Sequence, residues 1–201
     1  MKKSILFIFT ACFLFTTSCS DSLDEEHKTK YSSEYVFGTP EGLKLAVNAL
    51  YALQRYYAND TENATIFALE RGTDLAVTNG GTGNFYGIYD PNYLKPSASQ
   101  VGFMWRTMYQ IIGKANEIIA AAEDLEDTPS LRATVSEAKC FRAQSYFLLY
   151  RTFDRIWLNI QPTTAENVND PRDFHAASEK EVFDLIYEDL EYAITNLDWV
   201  S

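Results

Sequence analysis

The sequence predicts a mostly α fold: a scaffold of TPR-like helical hairpins interrupted by one long irregular loop region. Three observations carry that expectation. Apolar residues recur at helical spacing over four long segments. The third and second of these are separated only by a short polar turn, with small residues where the helices would touch, as in stacked helical hairpins. Between the first and second segments, Gly, Asn and Pro cluster in one long stretch. The exact TPR consensus is absent, so the fold class rests on hairpin pattern alone.

The chain begins with an address. Lys2 and Lys3 precede an apolar run from Ile5 to Phe15, and the small residues Thr16, Thr17 and Ser18 lead to Cys19. That order is the secretory signal pattern, and the run is short for a permanent membrane span. Two cleavages compete. An ordinary peptidase would release a soluble protein. A lipoprotein peptidase would cut before Cys19 and leave its sulfur acylated. Ser18-Cys19 resembles a bacterial lipobox, with Thr16 in place of the usual Leu, and residues 1–18 are assigned to a lipoprotein signal peptide. Residues 19–34 follow as a tether. Its Ser20–Glu26 run is too polar and acidic to bury apolar surface. It also resembles the acidic signal that sends Bacteroidota lipoproteins to the outer face of the outer membrane.

The remaining residues, 35–201, are expected to form one helical domain. A first helix is expected over 35–57, with Thr39 as N-cap, Pro40 at the first helical position, and Leu43, Ala46, Val47, Leu50 and Tyr51 on one face. Residues 59–98 read as an irregular loop, of a length that is uncommon unless functional. A second helix over 99–124 places Met104, Met108, Ile111, Ala115, Ile118 and Ala122 on a stripe widened by Trp105, Tyr109 and Ile112. A third, over 131–155, presents Val135, Ala138, Phe141, Ser145, Leu148 and Leu149. The Asp127–Ser130 break makes these two antiparallel neighbours. A fourth begins at Ser178, whose spacing from Glu181 is that of a capping box, and carries Val182, Leu185, Ile186, Ala193, Ile194 and Leu197. No polar terminal helix closes this stack, so the domain is expected to be the front portion of a longer protein or a truncated one.

Composition narrows the function. The hydrophobic fraction of 46% is enough for a core. Removing Lys2 and Lys3 from a chain of net charge −11 leaves −13, which argues against nucleic acid and fits a neutral ligand. Cys12 leaves with the signal and Cys19, if acylated, is unavailable, so Cys140 is left without a cysteine partner. It is expected to be buried as a small hydrophobe.

Nothing in the pattern builds a catalyst. His27 and His175 lack His or Cys neighbours at metal spacing, and no nucleophile elbow or His-Glu zinc motif occurs. Glu123, Asp124, Glu126 and Asp127 read as a solvated helix end rather than a glycosidase pair. The Gly80–Gly87 stretch lacks the Gly-Lys-Ser/Thr of a P-loop. Its neighbourhood is more suggestive. Asn84, Phe85, Tyr86, Tyr89, Asn92 and Tyr93 put aromatic faces beside amides, and a sugar ring offers apolar C–H faces with a hydroxyl rim. These six are the ligand-binding candidates. In the competing view the tyrosines staple the loop to the helices. Arg142 and Glu137 are expected to fix packing between helices. Trp105 and Asn116 are expected to serve the core, with Asn116 bonding a neighbouring backbone.

Four stretches then match one family in order: Gly42–Tyr51, Trp105–Asn116, Glu137–Phe147 and Val182–Leu190, after Cys19 and its acidic tether. Together they resemble the amino-terminal part of the SusD/RagB family of outer-membrane nutrient-binding lipoproteins. The Glu-Ala-Lys-x-Phe-Arg-Ala-x-x-Tyr-Phe run from Glu137 to Phe147 is the strongest piece. The resemblance covers nearly all of this chain and less than half of a typical member. It implies TPR-like helix pairs, a loop-rich ligand region, an oligosaccharide or in some branches a peptide as ligand, and no catalysis. It also implies partnership with a TonB-dependent SusC-like transporter, outer-membrane lipid attachment through Cys19, and a surface-exposed location. No cofactor is expected. Thr73-Asp74, beside Arg71, matches a Ser/Thr-Asp pair of the family, with a structural role. After Phe153 the family has a Gly and then a Pro. Asp154 and Trp157 stand there instead, so the helix exit is expected to differ.

Four readings compete on these residues. A surface glycan-binding lipoprotein accounts for the aromatic–amide loop. A helical-repeat adaptor that binds only protein accounts for the scaffold alone, and a truncated nonfunctional member accounts for the early end. A hydrolase would need a carboxylate pair that nothing singles out.

Overall fold

The computed structural model describes residues 31–59, 99–164, 167–171 and 174–197. The chain divides into two units, Met1–Ser32 and Ser33–Ser201, and the fold described below is that of the second. The described residues form five helices and no strand: α1 (Ser33–Gly38), α2 (Pro40–Asn59), α3 (Ser99–Ala122), α4 (Pro129–Phe153) and α5 (Glu179–Asn196). None of these helices is long and apolar enough to cross a membrane. The fold class is the one expected, helical and TPR-like.

Helix starts follow their side chains. Thr39 Oγ1 accepts from the Gly42 N–H at 3.1 Å and donates to the Tyr35 carbonyl at 2.8 Å, capping α2 while closing α1. The chain therefore turns helical at Ser33, before the expected 35, and breaks once at Thr39. Gly42 permits that tight corner, because a Cβ there would collide with the carbonyl oxygens of Tyr35 and Val36. Thr128 caps α4 by accepting from the Leu131 N–H at 3.1 Å, with Pro129 in the first turn. That helix starts and ends two residues earlier than expected, at 129 and 153. The capping box at α5 forms as read: the Glu181 carboxylate accepts from the Ser178 N–H at 2.8 Å, and Ser178 Oγ accepts from the Glu181 N–H at 3.3 Å. The hydrogen bonds from Ser178 hold the Glu181 carboxyl below its ordinary value.

α3 and α4 pack antiparallel, with Trp105 beside Phe153 at one end and Asn116 beside Arg142 further along. α5 returns antiparallel along α4, with Phe183 against Tyr150 and Asp189 against Lys139 and Arg142. α2 lies against both α3 and α4. The expected stripe of α3 is buried throughout from Met104 to Ile118, and Leu43, Val47 and Leu50 face it from α2. α4 is the central helix and buries residues on most of its circumference.

Four side chains depart from their expected places. Tyr51 is exposed, its ring edge on Phe141 and its hydroxyl donating to Glu137 at 2.7 Å. That carboxylate pushes the Tyr51 phenol up to about 12. Ile194 is 59% exposed, because nothing described packs on that face of α5. Trp105 sits at the rim rather than in the core. Cys140 is half-buried, and desolvation, followed by the charges of Asp189 and Glu137, raises its thiol.

A buried ion cluster ties the hairpins together. The Asp189 side chain is fully excluded from water. Its Oδ1 accepts from Lys139 Nζ and from Arg142 Nη2, both at 2.8 Å, and its Oδ2 accepts from Arg142 Nε at 2.7 Å. Arg142 Nη1 donates to Asn116 Oδ1 at 2.9 Å, which brings α3 into the same network. Arg142 thus fixes interhelical packing, as expected, with a buried acid as its partner. Lys139 also lies over the Tyr192 ring at 5.1 Å.

α4 ends on strain. Asp154 has φ 61° and ψ −49°, the only positive φ at a non-glycine among the described residues. The Arg155 N–H donates to the Phe153 carbonyl at 2.6 Å across it, closing a γ-turn of the unfavourable hand.

Two outcomes follow for equilibrium urea unfolding. Asp189→Asn leaves two buried cations under-compensated and should lower stability by about 3–5 kcal/mol. Asp154→Gly relieves the strained centre and should raise it by about 1 kcal/mol.

Candidate functional site

The sequence placed its ligand candidates, Asn84, Phe85, Tyr86, Tyr89, Asn92 and Tyr93, on the 59–98 loop. They lie outside the described residues, as do Cys19, His27, Arg71, Thr73 and Asp74. His175 is described and exposed in the approach to α5. No group of three or more His, Cys, Asp or Glu among the described residues could hold a metal ion.

The described residues do bring together a second aromatic–amide surface, on the segment leaving α4. That segment forms no helix or strand, so its backbone groups need other partners. Two tyrosines supply them. The Tyr109 hydroxyl donates to the Trp157 carbonyl at 2.8 Å and accepts from the Trp157 N–H at 3.0 Å. The Tyr146 hydroxyl does the same for Asn159, at 2.8 Å in both directions. Asn116 Nδ2 adds a bond to the Asn159 carbonyl at 2.7 Å, the backbone contact expected of it. The Ala177 N–H donates to the Ile156 carbonyl at 2.9 Å, and Ile156 is buried beneath. Residues 156–159 are therefore bolted to α3 and α4, and burial raises the phenols of both tyrosines above the ordinary 10.0.

Above this backbone runs a continuous row of rings. Phe153 meets Trp105 edge-on at 5.0 Å, Trp105 meets Tyr109 at 4.8 Å, and Tyr109 stacks on Trp157 at 6.4 Å and 28°. Phe174 closes the row 4.7 Å from Trp157 and is 70% exposed. Beside Trp157 opens a cleft of about 320 Å³, lined by Trp157, Asn159, Gln161, Pro162, Asn167, Asp170 and Pro171. Asn167 shapes its far wall, accepting from the Thr164 N–H at 2.8 Å and donating to the Pro162 carbonyl at 3.0 Å. Asn159 Oδ1 accepts from the Gln161 N–H at 3.3 Å. Rings that offer apolar faces beside amide groups can stack on and hydrogen-bond a polyol.

Reasoning from sequence missed this cleft. It registered Trp157 only as a departure at the helix exit. The available signal was a Trp, Asn, Gln, Pro succession just past a helix end, too short to have a period.

No protein-family model matches the chain. A SusD-like protein of Formosa agariphila, P38, is 29% identical over 100% of this chain and 39% of its own length. A SusD-like protein of Bacteroides ovatus is 28% identical over 98% of this chain and 35% of its own. The chain thus spans less than two fifths of the length of these relatives. Among solved structures, a laminarin-binding SusD-like protein matches with a TM-score of 0.64 and 26% identity, over 78% of this chain and 34% of that one.

The tyrosine bolts make the site sensitive to alkali. Each folded phenol lies above its unfolded value near 10.0, so the stability it contributes is complete below pH 10 and is lost as pH rises through the folded value. Chemical unfolding at stepped pH should show stability falling above pH 10. Tyr146→Phe should lose about 1–3 kcal/mol at pH 7 and show a shallower alkaline decline.

Proposed function

We propose, for a chain whose sequence and fold mark it as a SusD/RagB relative, that it binds oligosaccharides at a cell surface and delivers them to a TonB-dependent SusC-like outer-membrane transporter. In this reading residues 1–18 are a signal peptide and Cys19 carries the acyl chains that hold the protein to outer-membrane lipid. The acidic run that follows spaces the helical domain from the membrane. No catalytic step is involved.

The observation that carries the reading is the row of aromatic rings beside amides, on a scaffold matched by a laminarin-binding SusD-like protein. Stacking against C–H faces and hydrogen bonding at the hydroxyl rim are what a glycan offers such a surface. The loop candidates Asn84, Phe85, Tyr86, Tyr89, Asn92 and Tyr93 have the same chemistry and are assigned to ligand contact as well. An adaptor binding only protein could instead use the exposed Tyr187, Leu190 and Ile194 of α5.

The chain tagged after Ser201 is to be recovered from detergent-solubilised membranes. Co-purification of a TonB-dependent barrel is expected, and Cys19→Ala should move the protein out of the membrane fraction. Recovery from membranes alone, with no glycan bound in titration, would favour the adaptor. Given glycan binding, Tyr86→Ala with Tyr89→Ala should weaken it about tenfold if that loop contacts ligand.

A further inference from the structure

We infer that the cleft beside Trp157 is a sugar subsite in its own right, built from residues other than the 84–93 loop, and that it takes a neutral pyranose ring. The inference rests on the glycan-binding reading above and assigns it a place and a ligand class.

Preorganisation is the first argument. A subsite gains affinity when its groups are fixed before the ligand arrives. Trp157 is held through both backbone polar groups by the Tyr109 hydroxyl, and its ring is braced between Tyr109 and Phe174. Asn159 is held the same way by Tyr146 and Asn116. The fixing extends inward, because the same Asn116 amide accepts from Arg142, which grips the buried Asp189. The wall of the cleft is thus anchored in the ion cluster of the scaffold.

The second argument is unused hydrogen-bonding capacity. Asn159 Nδ2, the Gln161 side-chain amide and the Trp157 indole N–H make no hydrogen bond with any described residue, while the Trp157 and Asn159 backbone groups are satisfied. Two amides and an indole N–H at the edge of a ring offer both donors and acceptors to vicinal hydroxyls. Pro162 and Pro171 add walls without N–H groups, suited to C–H faces.

Charge and size set the class. Among the described residues, Asp170 is the single ionisable one lining the cleft, and no described Lys, Arg or His joins it. A uronate or sulfated sugar would meet a carboxylate with no described cation to offset it. A volume of about 320 Å³ lies at the small end of ligand cavities, suited to one or two rings rather than a long chain segment.

The test is calorimetric titration of the full chain with neutral laminari- and xylogluco-oligosaccharides and, separately, with oligogalacturonate. Binding of a neutral series is expected, with affinity falling at least about tenfold in Trp157→Ala and by a smaller factor in Trp157→Phe, which keeps a ring but loses the indole N–H. Gln161→Ala, an exposed position with no structural bond, should weaken binding several-fold with an unchanged melting temperature. If the parent chain binds a neutral glycan and both Gln161→Ala and Trp157→Ala bind it equally well, the cleft is not the subsite and the glycan-binding reading survives. Tighter binding of oligogalacturonate would overturn the neutral class. Failure of every oligosaccharide to bind the parent chain would remove the glycan reading and the subsite together.

Discussion

A carboxylate sealed from water cannot stand alone, and much of this fold follows from how Asp189 is satisfied. Desolvating one acid and two bases is costly unless every polar atom finds a partner. Here Asp189 takes three bonds from Lys139 and Arg142, and Arg142 spends its remaining reach on Asn116. The geometry works only if α3, α4 and α5 sit at one rotation and one axial offset. Apolar stripes alone would tolerate sliding by a turn, whereas a forked guanidinium gripping a carboxylate does not. The cluster is better regarded as a register pin than as a source of net stability.

From that pin the structure runs outward to the cleft through one amide. Asn116 holds Arg142 with its oxygen and the Asn159 carbonyl with its nitrogen. Tyr109 and Tyr146 lie on the buried stripes of α3 and α4, and each uses its ring in the core and its hydroxyl on the segment beyond α4. An irregular segment acquires helix-like rigidity in this way without any repeating backbone pattern of its own. Exposed rings can then be displayed with little freedom left to lose.

The legible part of the sequence was the part with a period. Met104, Met108, Ile111, Ala115 and Ile118 recur at helical spacing and all are buried, and Ser178 with Glu181 announced a helix start that the structure contains. Periodicity says which face is apolar, yet not whether a neighbour covers it. Ile194 and Tyr51 therefore lay on the right stripes and still came out exposed, and Trp105 stopped at the rim. Burial of Lys139 and Asp189 was invisible for a different reason. In a chain with 28 acidic residues, an Asp on an amphipathic helix reads as surface until its partners, about fifty positions away, are known. The cleft was hidden because its backbone is organised by hydroxyls from two helices. A local reading sees only a Trp where the family resemblance led one to expect a proline. Asp154, at the place expected to hold glycine, was flagged by the resemblance, and the strained turn there is the physical content of that flag.

The sequential arrangement of the hairpins also bears on how the molecule opens. α3 meets α4 and α4 meets α5, each across a single connection, so most pairings join neighbours in the sequence and little loop entropy opposes them. Among the described helices, α5 packs chiefly on α4, its inner face held by Val182, Ile186, Ala193 and the ion cluster. When α5 lifts away, Asp189, Lys139 and Arg142 regain hydration together, which offsets part of the contact energy that is lost. Part of the cost of such a sub-global opening is thereby returned as hydration. Because the three charged groups part together, the amide hydrogens of α5 would exchange as one cooperative set.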